Sequence, residues 1–142
     1  MSEQTSQSYW KPLPVLEGTT GEFYQYCKNH ELRFQRCTEC GTWRHVPRDM
    51  CAQCGSWEWE WAKSSGRGKL FTWTVVTLAM YPAFADEVPY AVALIEMEEG
   101  PRIVSRIVDV AAEDLHMDMP LEVFFEDVTD EVTLPKFRRA DA

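Results

Sequence analysis

The sequence lacks the features that mark several large classes of protein. No stretch approaches the roughly 20 apolar residues that span a bilayer, and the first ten residues, MSEQTSQSYW, show no basic start followed by an apolar run. Glycine-rich phosphate loops, dinucleotide fingerprints and the G-x-S-x-G nucleophile motif are missing as well. We therefore expect a cytoplasmic protein without a membrane segment, which carries no catalytic residues of its own.

Positive charge is scarce and unevenly distributed. The 142 residues hold 14 Lys and Arg against 23 Asp and Glu, for a net charge of −9. Residues 66–142 carry seven of the cations and 15 of the acids, so this part alone has a charge of −8. Because acidic surfaces repel phosphate backbones, nucleic acid is not the expected partner. A nucleic-acid-binding module is the alternative, and it rests on fold analogy alone.

Four of the five cysteines form two C-x2-C pairs, and a glycine follows each pair. Cys37 pairs with Cys40, and Cys51 pairs with Cys54 after a ten-residue loop. Two intervening residues let one tight turn direct both sulfurs at a single metal, so that two turns complete a tetrahedral site. The spacing predicts one structural zinc; iron in an electron carrier, two disulfides and a redox pair are the alternatives. A site closed by four sulfurs stabilises the fold and does not activate water.

The remaining cysteine and the histidines show no nucleophile motif. Cys27 lies on the apolar face of a predicted helix, which favours a buried structural thiol. His30, His45 and His116 are scattered along the chain, and none stands beside a cysteine or serine in a catalytic pattern. His45 lies in the loop between the cysteine pairs, where we expect a surface residue and not a fifth metal ligand.

The order of segments predicts a mainly β protein. Residues 1–18 are polar and then proline-spaced, which predicts an extended arm. Residues 19–65 then give a helix, with Thr19 and Glu22 at capping-box spacing, and a rubredoxin-like zinc ribbon. Five β-rich segments follow, at residues 69–78, 90–98, 102–108, 121–128 and 132–137, with a helical turn predicted at 111–117. They predict a five-stranded OB-fold barrel over residues 66–138, or another small antiparallel barrel, before a tail at 139–142.

Several of these motifs together resemble a known family. They are Phe23-Tyr24 in the helix, Phe34-Gln35-Arg36-Cys37, the two CxxCG turns with Pro47-Arg48 between them, Trp61 before a glycine-rich step, Pro89-Tyr90, and the terminal Leu134-Pro135-Lys136-Phe137-Arg138. Over residues 19–138 the chain is similar to the zinc-ribbon/OB-fold acyl-CoA-associated family. One departure is Asp118, where the family usually has glycine.

The resemblance implies a role as a subunit. Members of that family accompany thiolase-like proteins, in thiolase, hydroxymethylglutaryl-CoA synthase and steroid side-chain aldolase assemblies. The thiolase-fold partner holds the catalytic cysteine and histidine there. The resemblance therefore implies a non-catalytic accessory subunit of a thiolase or retro-aldolase, which acts on an acyl-CoA in degradative metabolism. It also implies a heterotetramer if the partner is a two-fold symmetric dimer.

Two aromatic groups are candidates for contact with such a partner. Residues 79–84 are apolar, contain Tyr81 and Phe84, and fall between barrel strands, where loops are normally exposed. They form an interface or fold back over the barrel end. Trp57, Trp59 and Trp61 alternate with glutamates, and we expect them to pack between ribbon and barrel, with partner contact as the alternative.

Binding of CoA would require cations near its phosphates. The candidates near the ribbon and its junction with the barrel are Arg36, Arg44, Arg48, Arg67 and Lys69. The residues to which we assign a partner or CoA contact are Arg36, Arg48, Lys69, Tyr81, Phe84 and Tyr90.

Overall fold

The computed structural model describes residues 9–140, so the start of the predicted arm and the last two residues of the predicted tail lie outside it. Within these residues, one α-helix, α1 (Gly18–Lys28), precedes eight strands. The strands are β1 (Arg33–Cys37), β2 (Trp43–Arg44), β3 (Trp59–Lys63), β4 (Arg67–Val76), β5 (Tyr90–Met97), β6 (Arg102–Ile107), β7 (Pro120–Asp127) and β8 (Thr133–Arg139). This confirms the mainly β class.

Helix α1 begins without the predicted capping box. Its N-cap is Glu17, whose side chain makes no capping hydrogen bond, so the prediction from Thr19 and Glu22 is wrong. Glu22 instead accepts a hydrogen bond of 3.1 Å from the Trp61 indole of β3. The helix buries Phe23 and Cys27, which lie four residues apart on one face, against the strands beneath.

The ribbon is a small antiparallel sheet in the order β2-β1-β3. Gln35 lies opposite Arg44 in the first pair of strands, and Cys37 lies opposite Trp59 in the second. The first cysteine pair therefore occupies the turn that joins β1 to β2. The second pair lies in the connection from β2 to β3 and returns to the same end of the sheet.

Strands β4 to β8 close a five-stranded barrel in the order β4-β5-β6-β8-β7. Alternate residues of β5 are buried in the interior, namely Ala91, Ala93, Ile95 and Met97, as expected for a strand with one face on a core. Each predicted strand matches an observed one to within two residues. A short 3-10 turn at Ala112–Asp114 confirms the predicted break. The OB-type barrel is confirmed.

One core connects the two parts of the chain. Buried side chains of the helix and ribbon, such as Cys27 and Phe34, belong to the same cluster as Leu70, Leu121 and Phe137 of the barrel. Folding of the ribbon and of the barrel is therefore coupled through shared apolar contacts. Within residues 9–140, no helix has both the length and the apolar character needed to cross a membrane.

Candidate metal centre and contact surfaces

The four cysteines predicted as metal ligands converge on one point. Their sulfur atoms all lie within 4.8 Å of one another, and the Cys37–Cys54 and Cys40–Cys51 sulfur pairs are each separated by 3.6 Å. A tetrahedral zinc with bonds of about 2.3 Å places its sulfurs about 3.8 Å apart. The residues therefore fit a single zinc ion.

The two cysteine turns have the same backbone geometry. The Gly41 amide donates to the Cys37 carbonyl and the Gly55 amide to the Cys51 carbonyl, both at 2.9 Å. Each glycine has a φ of 79°, in the left-handed region that side chains disfavour. These glycines turn the chain so that amide groups face the sulfurs.

The amides favour the thiolate form, which is the form that binds metal. Amide hydrogen bonds from Cys40 and Glu39 lower the pKa of Cys37, and amides of Cys54 and Gln53 do the same for Cys51. The preformed turns thus prepare negative charge for a cation.

Cys54 differs from Cys37 and Cys51, because its deprotonation is opposed by the other three sulfurs. The Ser56 amide favours the Cys54 thiolate, but contacts with the sulfurs of Cys37, Cys40 and Cys51 raise the pKa of Cys54 to about 12. Without a metal, four thiolates at this spacing repel one another. A divalent ion relieves that repulsion, so metal binding and complete deprotonation are linked.

Cys27 is buried and His45 is half-buried, and neither belongs to the metal site. Cys27 is fully buried, which confirms the predicted buried thiol, and burial raises its pKa to about 12. The His45 ring packs against Phe23 and Phe34, with centroid distances of 5.1 and 5.2 Å. Burial lowers its pKa to about 4. The prediction that His45 is a surface residue therefore holds only in part, because its ring is half-buried against these two aromatic side chains.

The five candidate cations fall into two groups. Arg67 lies 3.9 Å from Glu98, and Lys69 lies 3.8 Å from both Glu96 and Asp118, so acidic neighbours offset these two charges. Within the described part of the chain, Arg36, Arg44 and Arg48 have no carboxylate within 4.0 Å. Of the five candidate cations, the three without an acidic neighbour are therefore the arginines of the ribbon.

The apolar loop, residues 78–84, is partly folded back and partly exposed. Phe84 is half-buried, and its ring centroid lies 6.2 Å from that of Tyr90. Leu78, Met80 and Tyr81 stay 70%, 87% and 50% exposed. Phe84 thus folds back toward the barrel as one interpretation predicts, and the interface stays a prediction for the exposed residues. Leu78 was missed because it lies at the end of a predicted strand, where the sequence gives no sign of exposure.

The tryptophan row lies along the outside of the ribbon. Trp57 is exposed, whereas Trp59 and Trp61 pack edge to face with centroids 5.2 Å apart. Trp61 also packs against Tyr26 of α1 at 5.8 Å. These aromatic contacts lie within the helix and ribbon, and Trp61 also packs against the core that the ribbon shares with the barrel.

Family profiles match most of the chain. The profile for the ChsH2 rubredoxin-like zinc ribbon domain matches residues 25–60, and that for the ChsH2 C-terminal OB-fold domain matches residues 61–126. A DUF35 domain-containing scaffold protein of Methanocaldococcus jannaschii is 39% identical over 97 residues, which cover 68% of each chain. The chain belongs to the ChsH2/DUF35 family.

This chain is also similar to a chain of a solved aldolase structure and to a subunit of a hydratase. A solved chain titled "Ltp2-ChsH2(DUF35) aldolase" matches with a TM-score of 0.80 and 34% identity, over 92% of this chain and 100% of that one. A probable enoyl-CoA hydratase alpha subunit of Thermomonospora curvata is 35% identical over 141 residues, or 98% of this chain. The chain spans only 44% of the length of that hydratase subunit.

Proposed function

We propose that the chain is a zinc-stabilised, non-catalytic accessory subunit of a thiolase-superfamily enzyme, a thiolase or a retro-aldolase, that acts on an acyl-CoA in degradative metabolism. The observation that carries this proposal is the match to the DUF35 chain of an aldolase, at 34% identity and over the whole of that chain. The hydratase relative adds the substrate class, because its name includes an acyl-CoA. Hydratase activity is not carried over, since this chain corresponds to less than half of that relative.

The chemistry of the described residues supports a non-catalytic role. The metal site is closed by four sulfurs, and the Cys27 thiol is buried and protonated at neutral pH. Within residues 9–140, the histidine hydrogen bonds go to the Asp127 carboxylate and to the Asp114 carbonyl, and neither histidine joins a cysteine or serine. The catalytic groups are therefore assigned to the partner. Five free cysteines suit a reducing compartment, and we place the complex in the cytoplasm.

The exposed part of the apolar loop supports docking of a protein partner. Leu78, Met80 and Tyr81 are exposed in the connection between β4 and β5, and exposed apolar patches mark interaction sites. We assign this surface to the thiolase-like subunit. If that subunit is a two-fold symmetric dimer, two copies of this chain bind equivalently and complete a heterotetramer.

Affinity purification of the tagged chain from its native cell tests this function. We expect a thiolase-fold protein to co-purify, and Met80→Ser to weaken the complex roughly tenfold because it removes an apolar contact. Met117→Ser is the matched control, since Met117 is also exposed, at 67%, but lies outside the loop. Recovery of nucleic acid, or of no thiolase-fold protein at native salt, would refute the proposal.

A further inference from the structure

The zinc site exposes two of its four sulfur ligands. Cys37 and Cys51, the first cysteines of the two turns, are 0% and 2% exposed, whereas Cys40 and Cys54, the second ones, lie at the surface. A small oxidant in solution therefore meets Cys40 and Cys54 first. Because cysteine oxidation follows thiolate character and exposure, and a metal-bound sulfur at the surface has both, these two positions are susceptible.

The two exposed sulfurs differ in their hydrogen bonds, although the backbones of the two turns match. The Thr42 hydroxyl lies 3.1 Å from Cys40 Sγ. A metal-bound thiolate has no proton to donate, so this hydroxyl donates to the sulfur, and the Thr42 amide does so as well. Cys54 receives a hydrogen bond from the Ser56 amide. The Ser56 hydroxyl instead accepts from the Glu58 amide at 3.0 Å, and within residues 9–140 no hydroxyl bonds to Cys54 Sγ.

This asymmetry makes Cys54 the more reactive of the two exposed sulfurs. Hydrogen bonds withdraw electron density from a thiolate, and its nucleophilicity falls as its basicity falls. Cys40, with a hydroxyl and an amide donor, is the weaker nucleophile. Cys37 Sγ lies 3.6 Å from Cys54 Sγ, so a cysteine of the other turn is in position to form a disulfide with Cys54.

We propose that the zinc ribbon is a redox switch, which hydrogen peroxide opens by joining Cys54 to Cys37. The Cys54 thiolate attacks one peroxide oxygen, the O–O bond breaks, and a sulfenic acid and one hydroxide form. The Cys37 thiolate then attacks the oxidised sulfur and displaces a second hydroxide. The two sulfurs lose two electrons in all, and the peroxide gains them. Because the thiolate is the metal ligand, the disulfide leaves two ligands, which no longer hold the zinc ion.

The proposed bond joins the two turns, unlike the thioredoxin-type pair within one C-x2-C motif. Its effect extends beyond the metal site, because Cys37 ends β1 and Phe34 of the same strand belongs to the core shared with the barrel. Opening of the site therefore loosens the packing of the ribbon on the barrel. A dithiol reductant reverses the step by thiol–disulfide exchange. The switch depends on the zinc site alone, whatever partner the chain binds.

The test treats the zinc-loaded full chain with hydrogen peroxide and follows zinc release with a chromogenic chelator. We expect release of about one zinc per chain and a Cys37–Cys54 disulfide in tandem mass spectrometry. Trypsin separates the two turns by cutting after Arg44 and Arg48, so this disulfide links two peptides. A dithiol with added zinc should then restore the near-UV circular dichroism of the untreated chain.

Three results would overturn the proposal. The first is retention of zinc at a peroxide dose that oxidises a free-cysteine peptide completely. The second is a disulfide within one C-x2-C pair in place of the bond between the turns. The third is a loss of ribbon structure that a dithiol and zinc do not reverse, because a switch must close again.

Trapping of the sulfenic acid with dimedone identifies the sulfur that is oxidised first. In the parent chain we expect the label on Cys54. Thr42→Val removes the hydroxyl from Cys40 and should raise labelling of Cys40 roughly two- to tenfold, the effect of one lost hydrogen bond. Thr38→Val is the matched control, because Thr38 is exposed in the same turn and its hydroxyl bonds to neither Cys40 nor Cys54.

The labelling pattern decides the role of Cys54 separately from zinc release. Equal zinc content of the parent and both variants before treatment verifies that each site is intact. Labelling that stays on Cys54 in Thr38→Val and spreads to Cys40 in Thr42→Val supports the proposal. Labelling of Cys40 ahead of Cys54 in the parent chain, or equal effects of the two substitutions, would overturn it.

Discussion

At the scale of single residues, His45 places a titratable ring in apolar surroundings that would suit a phenylalanine side chain. Its ring packs against Phe23 and Phe34, and burial holds its pKa near 4. The ordinary histidine pKa of about 6.5 applies in the unfolded chain. The unfolded state therefore binds more protons than the folded state between pH 7 and pH 4, so stability falls as the pH is lowered through that window.

We predict that acid destabilises the protein partly through His45. Between pH 7.5 and pH 5 its protonation in the unfolded state lowers the free energy of unfolding by about 2 kcal/mol. His45→Phe, which fills the same apolar site, should lose that share of the pH dependence. The measurement is urea unfolding of both proteins at the two pH values, with zinc in excess. Identical pH dependence of the two proteins would show that His45 is not buried as a neutral ring.

Asp118 shows how one departure from the family pattern is accommodated. The family usually has glycine at this position, and Asp118 indeed adopts a φ of 64°. Aspartate tolerates this left-handed conformation better than most side chains do. The turn before β7 therefore keeps the conformation that glycine favours, and the barrel closes as predicted.

The metal site was predictable at this scale and the burial of His45 was not. Cys37, Cys40, Cys51 and Cys54 are constrained by local spacing, because two residues between ligands fix one turn. The partial burial of His45 depends on its contacts with Phe23 of α1 and Phe34 of β1, and no periodic pattern in the sequence reports such contacts between elements.

At the scale of elements, the start of β4 depends on a close approach of two backbones. Gly68 pairs with Met97 of β5, and a Cβ atom at Gly68 would lie 2.6 Å from the Glu96 carbonyl oxygen and 3.0 Å from Ile95 Cγ2. The first contact is with backbone, which has little freedom to move inside a closed barrel. Glycine is therefore required here by space.

We predict that Gly68→Ala destabilises the protein by about 2 kcal/mol or more, because the strands must separate to admit the methyl group. Thr74→Ala on the same strand is the control. Thr74 is exposed, and its loss should change the free energy of unfolding by less than about 0.5 kcal/mol. Chemical denaturation measures both changes. Equal stability of Gly68→Ala and the parent protein would mean that β4 and β5 are further apart than described.

The predicted strands agree closely with the structure because each carries several β-branched or aromatic residues between clear turn signals. β2 (Trp43–Arg44) was not predicted, since two residues are too few to show alternation. The start of α1 was wrongly explained because capping-box spacing occurs by chance, and tertiary contact with Trp61 takes Glu22 away from the helix terminus.

At the scale of the whole molecule, the metal and the core are linked. Cys37 and Cys51 are buried, and Phe34, three residues before Cys37, belongs to the core that the ribbon shares with the barrel. Loss of the metal removes the bonds that hold the four sulfurs together and disrupts this shared packing. Zinc is therefore expected to stabilise more than the two cysteine turns.

We predict that removal of zinc by EDTA abolishes the ribbon structure and lowers the midpoint of thermal unfolding by roughly 10 °C or more. Near-UV circular dichroism reports the change through Trp43, Trp59 and Trp61, which lie in the ribbon strands. The purified protein should be colourless, with about one zinc per chain. An unchanged near-UV spectrum after verified metal removal would contradict a structural role for the metal.

The central claim is that the proposed partner carries the catalytic groups and that this chain is an accessory subunit. The most direct test is to measure cleavage of an acyl-CoA by the co-purified complex and by its separated subunits. We predict that the complex is active, that the chain alone has no activity, and that adding the zinc-loaded chain back restores the activity of the partner. Turnover of the acyl-CoA by this chain alone would contradict the account.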